Sequence, residues 1–520
     1  MTCLHDTPRH GLLHCAARLA TGLILTLLAL TACSRPADEV IRFALASEPA
    51  TLDPRFATDA TSARVNRLLY ERLVDFDERS RPVPALAHWE RLAGDHYRFH
   101  LAPDRAPFDD GRPLTARDVA ATYEYILDPA HASPHRAPLQ LIRRIKVIDD
   151  NTLDFYLDRA DPLFPGYLVI GILPADGIAA GHPFQTHPVG SGPFRFESWP
   201  EPGRLKLVRR ADGQRIEFLR VVDPTVRVLK LLRSEVDILQ NDLPAELLGY
   251  LKRQRGITVH TGPGNNFAYI GFNLQDPITG DLRIRRAVAC AIDRAAIIKY
   301  VLAGAAAPAA ALLPPDHWAG NSALAPPPYD PEHAKALLAQ AGYDAAHPLE
   351  VDYKTSTDPV RVRIATIIQQ QLAEVGIHMK LQSYDWGTFY GDIKAGRFQL
   401  YSLSWVGIKT PDIFRYAFHS TSLPPEGANR GRLADAGVDA LIEQAEQGAT
   451  LEAQAETYRQ LEARLLELLP YLPLWYEDQV CAVRSDIEGY RLAPDGDFDA
   501  LRDVHRRTMG EAEREARTPG

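Results

Sequence analysis

Cysteine is scarce in this 520-residue chain: there are five, and only Cys290 and Cys481 lie beyond residue 33. Two thiols make no disulfide framework. Cys290 sits inside the helical run RRAVACAIDR, where a buried free thiol is expected rather than a bridge to Cys481. Beyond residue 33 no apolar run approaches ~20 residues, so no second stretch is long enough to cross a bilayer as a helix. The 17 histidines are scattered, with no His-Glu-x-x-His, and no metal framework is legible. A phosphate-cradling Gly-x-x-x-x-Gly-Lys is missing, which argues against nucleotide hydrolysis by this chain. Basic residues are in deficit: 58 Lys and Arg against 67 Asp and Glu give a formal charge of −9, so nucleic acid is not an expected partner. No cofactor is implied.

What is present begins with Leu19 to Cys33, LATGLILTLLALTAC, preceded by Arg9 and Arg18. The apolar run is too short for a comfortable bilayer span and fits the central region of an export signal. Its end, Leu30-Thr31-Ala32-Cys33, resembles the lipobox of bacterial lipoproteins, in which the cysteine becomes the first mature residue and carries the lipid. The competing reading is an ordinary signal peptide or an uncleaved anchor. With a lipid on Cys33, the mature body is tethered to the membrane by acyl chains, each buried CH₂ contributing ~0.8 kcal/mol, and works outside the cytoplasm. The remaining length is too great for one hydrophobic core and implies two or more domains.

From Val40 the chain reads as α/β. Residues 40–46, VIRFALA, predict a buried strand. SEPATLDP (47–54) is an extended turn, since proline drives the residue before it out of the helical region. The spacing of Val65, Leu68, Leu69 and Leu73 predicts a helix over 61–73. Hairpins turn at Gly94-Asp95 and at Asp149-Asp150-Asn151. Between them Thr115 and Asp118 form a capping box opening a helix to Leu127. Strands are predicted over 195–199, 204–209, 215–222 and 236–239, with a helix over 225–232. A second body starts with a strand over 267–274, one helix over 283–302, and an Ala- and Pro-rich loop, 303–329, packed over the surface. Asp330-Pro331 and Asp358-Pro359 each supply a cap and a first-turn proline, and Gly342 and Gly376 end the two helices. Strand 349–354, the second of these helices and alternating residues 377–384 form a βαβ unit, hence parallel strands. A strand over 398–406, helices over 438–447 and 451–469, and a strand over 471–477 complete the pattern.

Candidate chemistry is thin. Asp495-Gly496-Asp497-Phe498-Asp499 opens like a calcium loop, but Ala500 stands where the turn glycine belongs and Arg506 where the closing glutamate should be. It reads as a solvated acidic loop. VGSGPF (189–194) falls short of a Gly-x-Ser-x-Gly elbow, so Ser191 is a poor nucleophile and a crossing between lobes suits the segment better. No pair of carboxylates stands out for glycoside hydrolysis, and the chain is not expected to be an enzyme.

Several strings nonetheless occur in a telling order: SEPATLDP, ATDATSARVNRLLYERLVDFD, PALAHWE, FDDGRPLTARDV, GSGPF, DLRIRRAVACAIDR, YDPEHAKALLAQAGY and VDALIEQAEQ. Together, from about Val40 to Val504, they resemble the family 5 extracellular solute-binding proteins, the peptide-type receptors of ABC importers. The resemblance implies an α/β, two-lobed periplasmic-binding-protein fold with an extra inserted domain and a central ligand cleft. Residues 1–32 would be the lipoprotein signal peptide and 33–39 a tether. Lobe one would comprise 40–73, 185–264 and a return over 479–508, with the inserted domain at 74–184. Lobe two would run over 265–478, and 509–520 would be a loose tail. The implied partners are a small peptide or peptide-like ligand, an ABC permease with its cytoplasmic ATPase, and the membrane through the lipid anchor, with the receptor itself a monomer in the periplasm or cell envelope.

The cleft-lining segments of the family match Thr58, Asp59, Ala60 and Thr61 on lobe one and Ser404, Trp405, Val406 and Gly407 on lobe two. Their main-chain groups would pair with an extended ligand as an added strand. Tyr269, Asn273 and Trp386 are further candidates, each with core packing as the competing reading. One departure stands out. In peptide-binding relatives an aspartate three residues after the lobe-two tryptophan pairs with the peptide amino terminus, and here that position is Ile408, followed by Lys409. A buried ammonium without a counter-ion is costly. Capture of a free-amine peptide would therefore need Asp412 to fold back, while Lys409 points to an acidic or N-blocked ligand, or simply to solvent. The family's Asn-Pro-x-Tyr-Trp loop is also absent, Arg209-Arg210-Ala211-Asp212-Gly213 leading straight into the next strand. A non-peptide solute such as an opine, sugar or metal chelate, and a role as a sensor, are the alternatives.

Overall fold

The computed structural model describes residues 40–507, so the export segment, Cys33 and the charged tail lie outside the described residues. Strand β1 (Val40–Leu45) leads through a proline-punctuated loop into helix α1 (Ala60–Leu69). The loop is pinned to the helix by its first-turn hydroxyls: Thr61 shares a 2.8 Å hydrogen bond with Ser47, and Ser62 Oγ accepts from the amides of Ala50 and Thr51. α1 ends at Leu69, short of the expected Leu73, because Tyr70 turns extended.

The insertion follows as a separate antiparallel sheet of β2 (Ala87–Ala93), β3 (His96–Leu101), β4 (Ile142–Asp149) and β5 (Thr152–Leu157), ordered β2-β3-β5-β4. Helix α2 (Ala116–Leu127) packs on it, and Tyr97, Phe99, Tyr123, Phe155 and Phe164 fill the core between them. Gly190 and Gly192 then lie against the end of α1, where a Cβ would overlap the Leu69 backbone. The segment expected to cross between lobes instead seats the return from the insertion on α1.

Strands β6 (Phe194–Glu201), β7 (Arg204–Arg209) and β8 (Arg215–Arg220) run antiparallel, and β8 pairs parallel with β1. On the other side β1 pairs parallel with β9 (Ile238–Gln240). Next come β10 (Ile257–Phe272), helices α3 (Leu282–Ala291) and α4 (Arg294–Tyr300), β11 (Leu349–Ser356), helix α5 (Pro359–Glu374), β12 (Ile377–Tyr384), helix α6 (Trp386–Ala395) and β13 (Leu400–Trp405). Helix α7 (Leu451–Leu468) and strand β14 (Tyr471–Arg484) bring the chain back. The βαβ unit is present, β11 lying parallel to β12. The long sheet runs β12-β11-β13-β10-β14-β9-β1-β8-β7-β6.

Two strands carry this sheet through both lobes. Thr258 to Gly262 of β10 pair with Val483 to Gln479 of β14, the register then shifts, and Asn266 to Gly271 pair with Glu477 to Tyr471. The sequence suggests strands only over 267–274 and 471–477; here the Gly262-Pro263-Gly264 run is accommodated as an irregularity within one long strand. The helix expected over 283–302 is two, because Asp293 caps a fresh start by accepting from the Ala296 amide at 2.9 Å. The 303–329 loop is not laid over the surface: Ala309, Leu312, Leu313, Trp318 and Ala319 are buried in the lobe-two core. Cys290 and Cys481 are free buried thiols in separate cores, one per lobe. Among the described residues no helix is long and apolar enough to cross a membrane.

Candidate functional site

α1 organises the site. Its cap, Asp59, accepts from the Ser62 amide at 2.8 Å and holds the helix start in place. Val65, Leu68 and Leu69 face the lobe-one core, so the opposite flanks, with Ala63, Arg64, Asn66 and Arg67, face a cavity of about 460 Å³. Across it stand Val406, Gly407 and Lys409, which follow β13 in lobe two. The end of the insertion (Val169 to Gly171) and the C-terminal return (Asp495 and Asp497) close the remaining walls.

The cavity floor is a charge network. Lys409 Nζ lies 2.5 Å from Asp495 and 3.1 Å from Asp497, and so ties lobe two to the return. Arg67 pairs with Asp497 at 2.8 Å and Asp499 at 2.5 Å, and Arg72 with Asp75 and Asp499. Burial works against the charges of Lys409, Asp495, Asp497 and Asp499, and ion pairing opposes it. Against that burial the Lys409 ammonium is held above its usual range and Asp495 well below the usual carboxylate range. Asp497, buried beside two other carboxylates, is pushed up. Burial pushes the His135 imidazole below its usual range, and its Nε2–H donates to the Ala57 carbonyl at 2.9 Å.

Two polar groups on the wall stand apart from this network. Arg64 donates to the Asp495 carbonyl at 2.9 Å and makes no ion pair among the described residues. Asn66 is only 5% exposed, and among the described residues neither its Oδ1 nor its Nδ2 has a hydrogen-bond partner. Leaving a buried polar group unpaired costs about 1–3 kcal/mol, which a ligand offering both a donor and an acceptor would recover.

Of the residues expected to bind, Thr58, Asp59, Ala60, Val406, Gly407 and Lys409 are brought together on the cavity wall. Thr61 is turned into the Ser47 contact. Ser404 accepts from Arg361 at 3.3 Å, and Trp405 packs against the Arg430 guanidinium at 4.8 Å. Ile408 is buried among lobe-two side chains, with its carbonyl accepting from Asn265. Tyr269 is fully buried and stacks on Tyr471, while Asn273 ties the backbone of Gly396 and Phe398. Trp386 is exposed at the start of α6, stacked on Tyr390. Asp412 does not fold back to the cavity; it accepts from Thr410 and feels the Asp161 carboxylate of the insertion. Lys409 is neither left to solvent nor aimed at a free anion site, and the Asp495–Asp499 loop is largely buried: Lys409 pairs with Asp495 and Asp497.

Arg64, Asn66, Arg67 and Arg72 escaped the sequence reading, in which Asp495 and Asp497 figure only as part of a solvated acidic loop. On α1 the polar flanks look like any solvated helix face, and the acidic loop meets its cations only in the fold. The remodelled Arg209–Gly213 stretch is a tight turn with Gly213 at φ +77°. It serves the fold, Arg209 donating to the carbonyls of Leu501 and Val504.

This architecture recurs in known proteins. The chain is 27% identical to the dipeptide-binding protein of Escherichia coli K12, over 91% of this chain and 96% of that one. It is also 27% identical to heme-binding protein A of Haemophilus influenzae, over 88% and 91%. The crystal structure of the ABC transporter substrate-binding protein CtaP from Listeria monocytogenes superposes with a TM-score of 0.81 at 22% identity, over 90% of this chain and 99% of that one. The profile of the bacterial extracellular solute-binding proteins, family 5 (middle region), matches residues 81–423. With two lobes sharing β10 and β14 and a walled cavity between them, the chain belongs to the bacterial extracellular solute-binding proteins of family 5.

Proposed function

We propose that this protein is the extracytoplasmic receptor of an ABC importer, capturing a peptide or peptide-like solute between its lobes and presenting the closed form to the permease. The observation that carries this is the cavity itself, whose wall is drawn from α1 of lobe one and from Val406, Gly407 and Lys409 of lobe two. A ligand touching both walls prefers the closed state, and only such differential affinity shifts the population; moving it from mostly open to mostly closed takes about 5.5 kcal/mol. β13 ends its pairing at Trp405 and the chain bends at Gly407, φ +67°, which supports a reading in which the Val406 and Gly407 main-chain groups meet the ligand backbone. We assign Thr58, Asp59, Ala60, Val406, Gly407 and Lys409 as the ligand-facing set, and the register shift between residues 262 and 266 as the hinge region. In this reading the mature protein works as a monomer, anchored through lipid on Cys33, and releases its ligand unaltered.

Small-angle scattering of the whole chain against a library of short peptides tests the proposal. Compaction is expected with at least one peptide class, together with saturable calorimetric binding. Profiles unchanged across the library, or a ligand recovered chemically altered, would remove it.

A further inference from the structure

We infer that the cleft selects acidic, amide-bearing solutes whose amino group is blocked or absent, because Lys409 already occupies the acidic pair that would otherwise hold a ligand ammonium. This rests on the peptide-like reading above and narrows it. The carboxylates on the cavity wall are Asp59, Asp495 and Asp497. Asp59 is engaged as the cap of α1, with its charge offset by the helix N-terminus. Asp495 and Asp497 hold the Lys409 ammonium at 2.5 and 3.1 Å, and Asp497 also holds Arg67 at 2.8 Å. An arriving ammonium would have to displace a cation of its own kind that is attached to the protein and therefore present at high effective concentration.

The wall's uncommitted groups ask for something else. The Arg64 guanidinium makes no ion pair among the described residues, and beyond its one bond to the Asp495 carbonyl its fork suits a carboxylate. The Asn66 carboxamide has both an unmet donor and an unmet acceptor, the complement of a ligand amide. The two residues lie two positions apart on α1 and so reach the cavity from opposite flanks of the helix, meeting different parts of one extended molecule. Lys409 is thus a specificity-determining residue: an internal ammonium that excludes the amine a dipeptide would bring.

Calorimetry on the whole chain with three probes decides this: tri-alanine, N-acetyl-tri-alanine, and the acetylated peptide with its C-terminus amidated. The acetylated acid should bind at least tenfold more tightly than tri-alanine. Amidation should cost tenfold or more, and that penalty should vanish in Arg64→Gln. Lys409→Met should raise the affinity for tri-alanine at least tenfold by uncovering Asp495 and Asp497. Tri-alanine binding the unaltered protein as tightly as its acetylated form would overturn the inference and leave the peptide reading standing. No binding of any of the three would overturn both.

Discussion

Asp412 shows how one carboxyl can be moved from a candidate ligand anchor to a structural liability. Burial pushes it up to about 6, with the Asp161 carboxylate adding to the rise and the Thr410 hydroxyl opposing it. Its folded value thus lies above that of an unfolded aspartate, near 4, so the unfolded chain gives up this proton first. The unfolding free energy then falls as pH rises from about 4 to about 6, and the loss is complete above that window. Asp412→Asn keeps an oxygen to accept from Thr410 and removes the charge. The variant is expected to gain about 1–2 kcal/mol at pH 7, once partial exposure is allowed for, and to match the parent near pH 4. Urea unfolding at the two pH values checks this, and an equal difference at both would count against the buried charge. None of this could be read from the sequence, where Asp412 stands out only as the carboxylate nearest to the position that Ile408 occupies. Lys409 and the Asp495–Asp497 pair are 86 or more residues apart, and no local pattern joins them.

At the level of elements, side-chain chemistry spoke clearly wherever it was local. The capping box at Thr115 is present: Asp118 reaches back to the Thr115 amide at 2.7 Å. It also accepts from the Ala175 amide at 2.8 Å, which ties α2 to the short helix at Ala175–Ala179. Asp118→Ala therefore removes a cap and strands a partly buried amide on another element, an expected loss of about 1–3 kcal/mol. Hydrogen exchange should show it concentrated in α2 and its neighbour, whereas a uniform or absent loss would mean the cap is not what holds them. The Asp358-Pro359 start of α5 and the βαβ unit were equally legible. Where elements were misjudged, a distant partner overrode the local signal. Residues 257–266 become strand only with β14 laid beside them, and the break between α3 and α4 hides in a helical run whose only marker is Asp293.

For the molecule as a whole, what matters is that β10 and β14 belong to both lobes. Gly264 sits at their register shift, where a Cβ would overlap the Glu477 carbonyl oxygen. Gly264→Ala must push the two strands apart where any closing motion has to be absorbed. We expect a loss of about 1–3 kcal/mol and a smaller ligand-induced compaction by scattering. Unchanged stability and unchanged compaction would show that the crossing strands are not packed tightly enough to govern the lobes.

The sequence by itself determined the class of fold, much of the order of its elements and the helix starts marked by caps, because periodicity, capping and turn chemistry act within a few residues of one another. It determined the family for the same reason: short strings in order survive as strings. Only the tertiary structure decided that Lys409 faces Asp495 and Asp497, that Asn66 is buried without a partner, and that the acidic loop is a cavity wall. Burial and ion pairing are properties of what lies across a cleft, and the residues that meet there are joined by packing rather than by position along the chain.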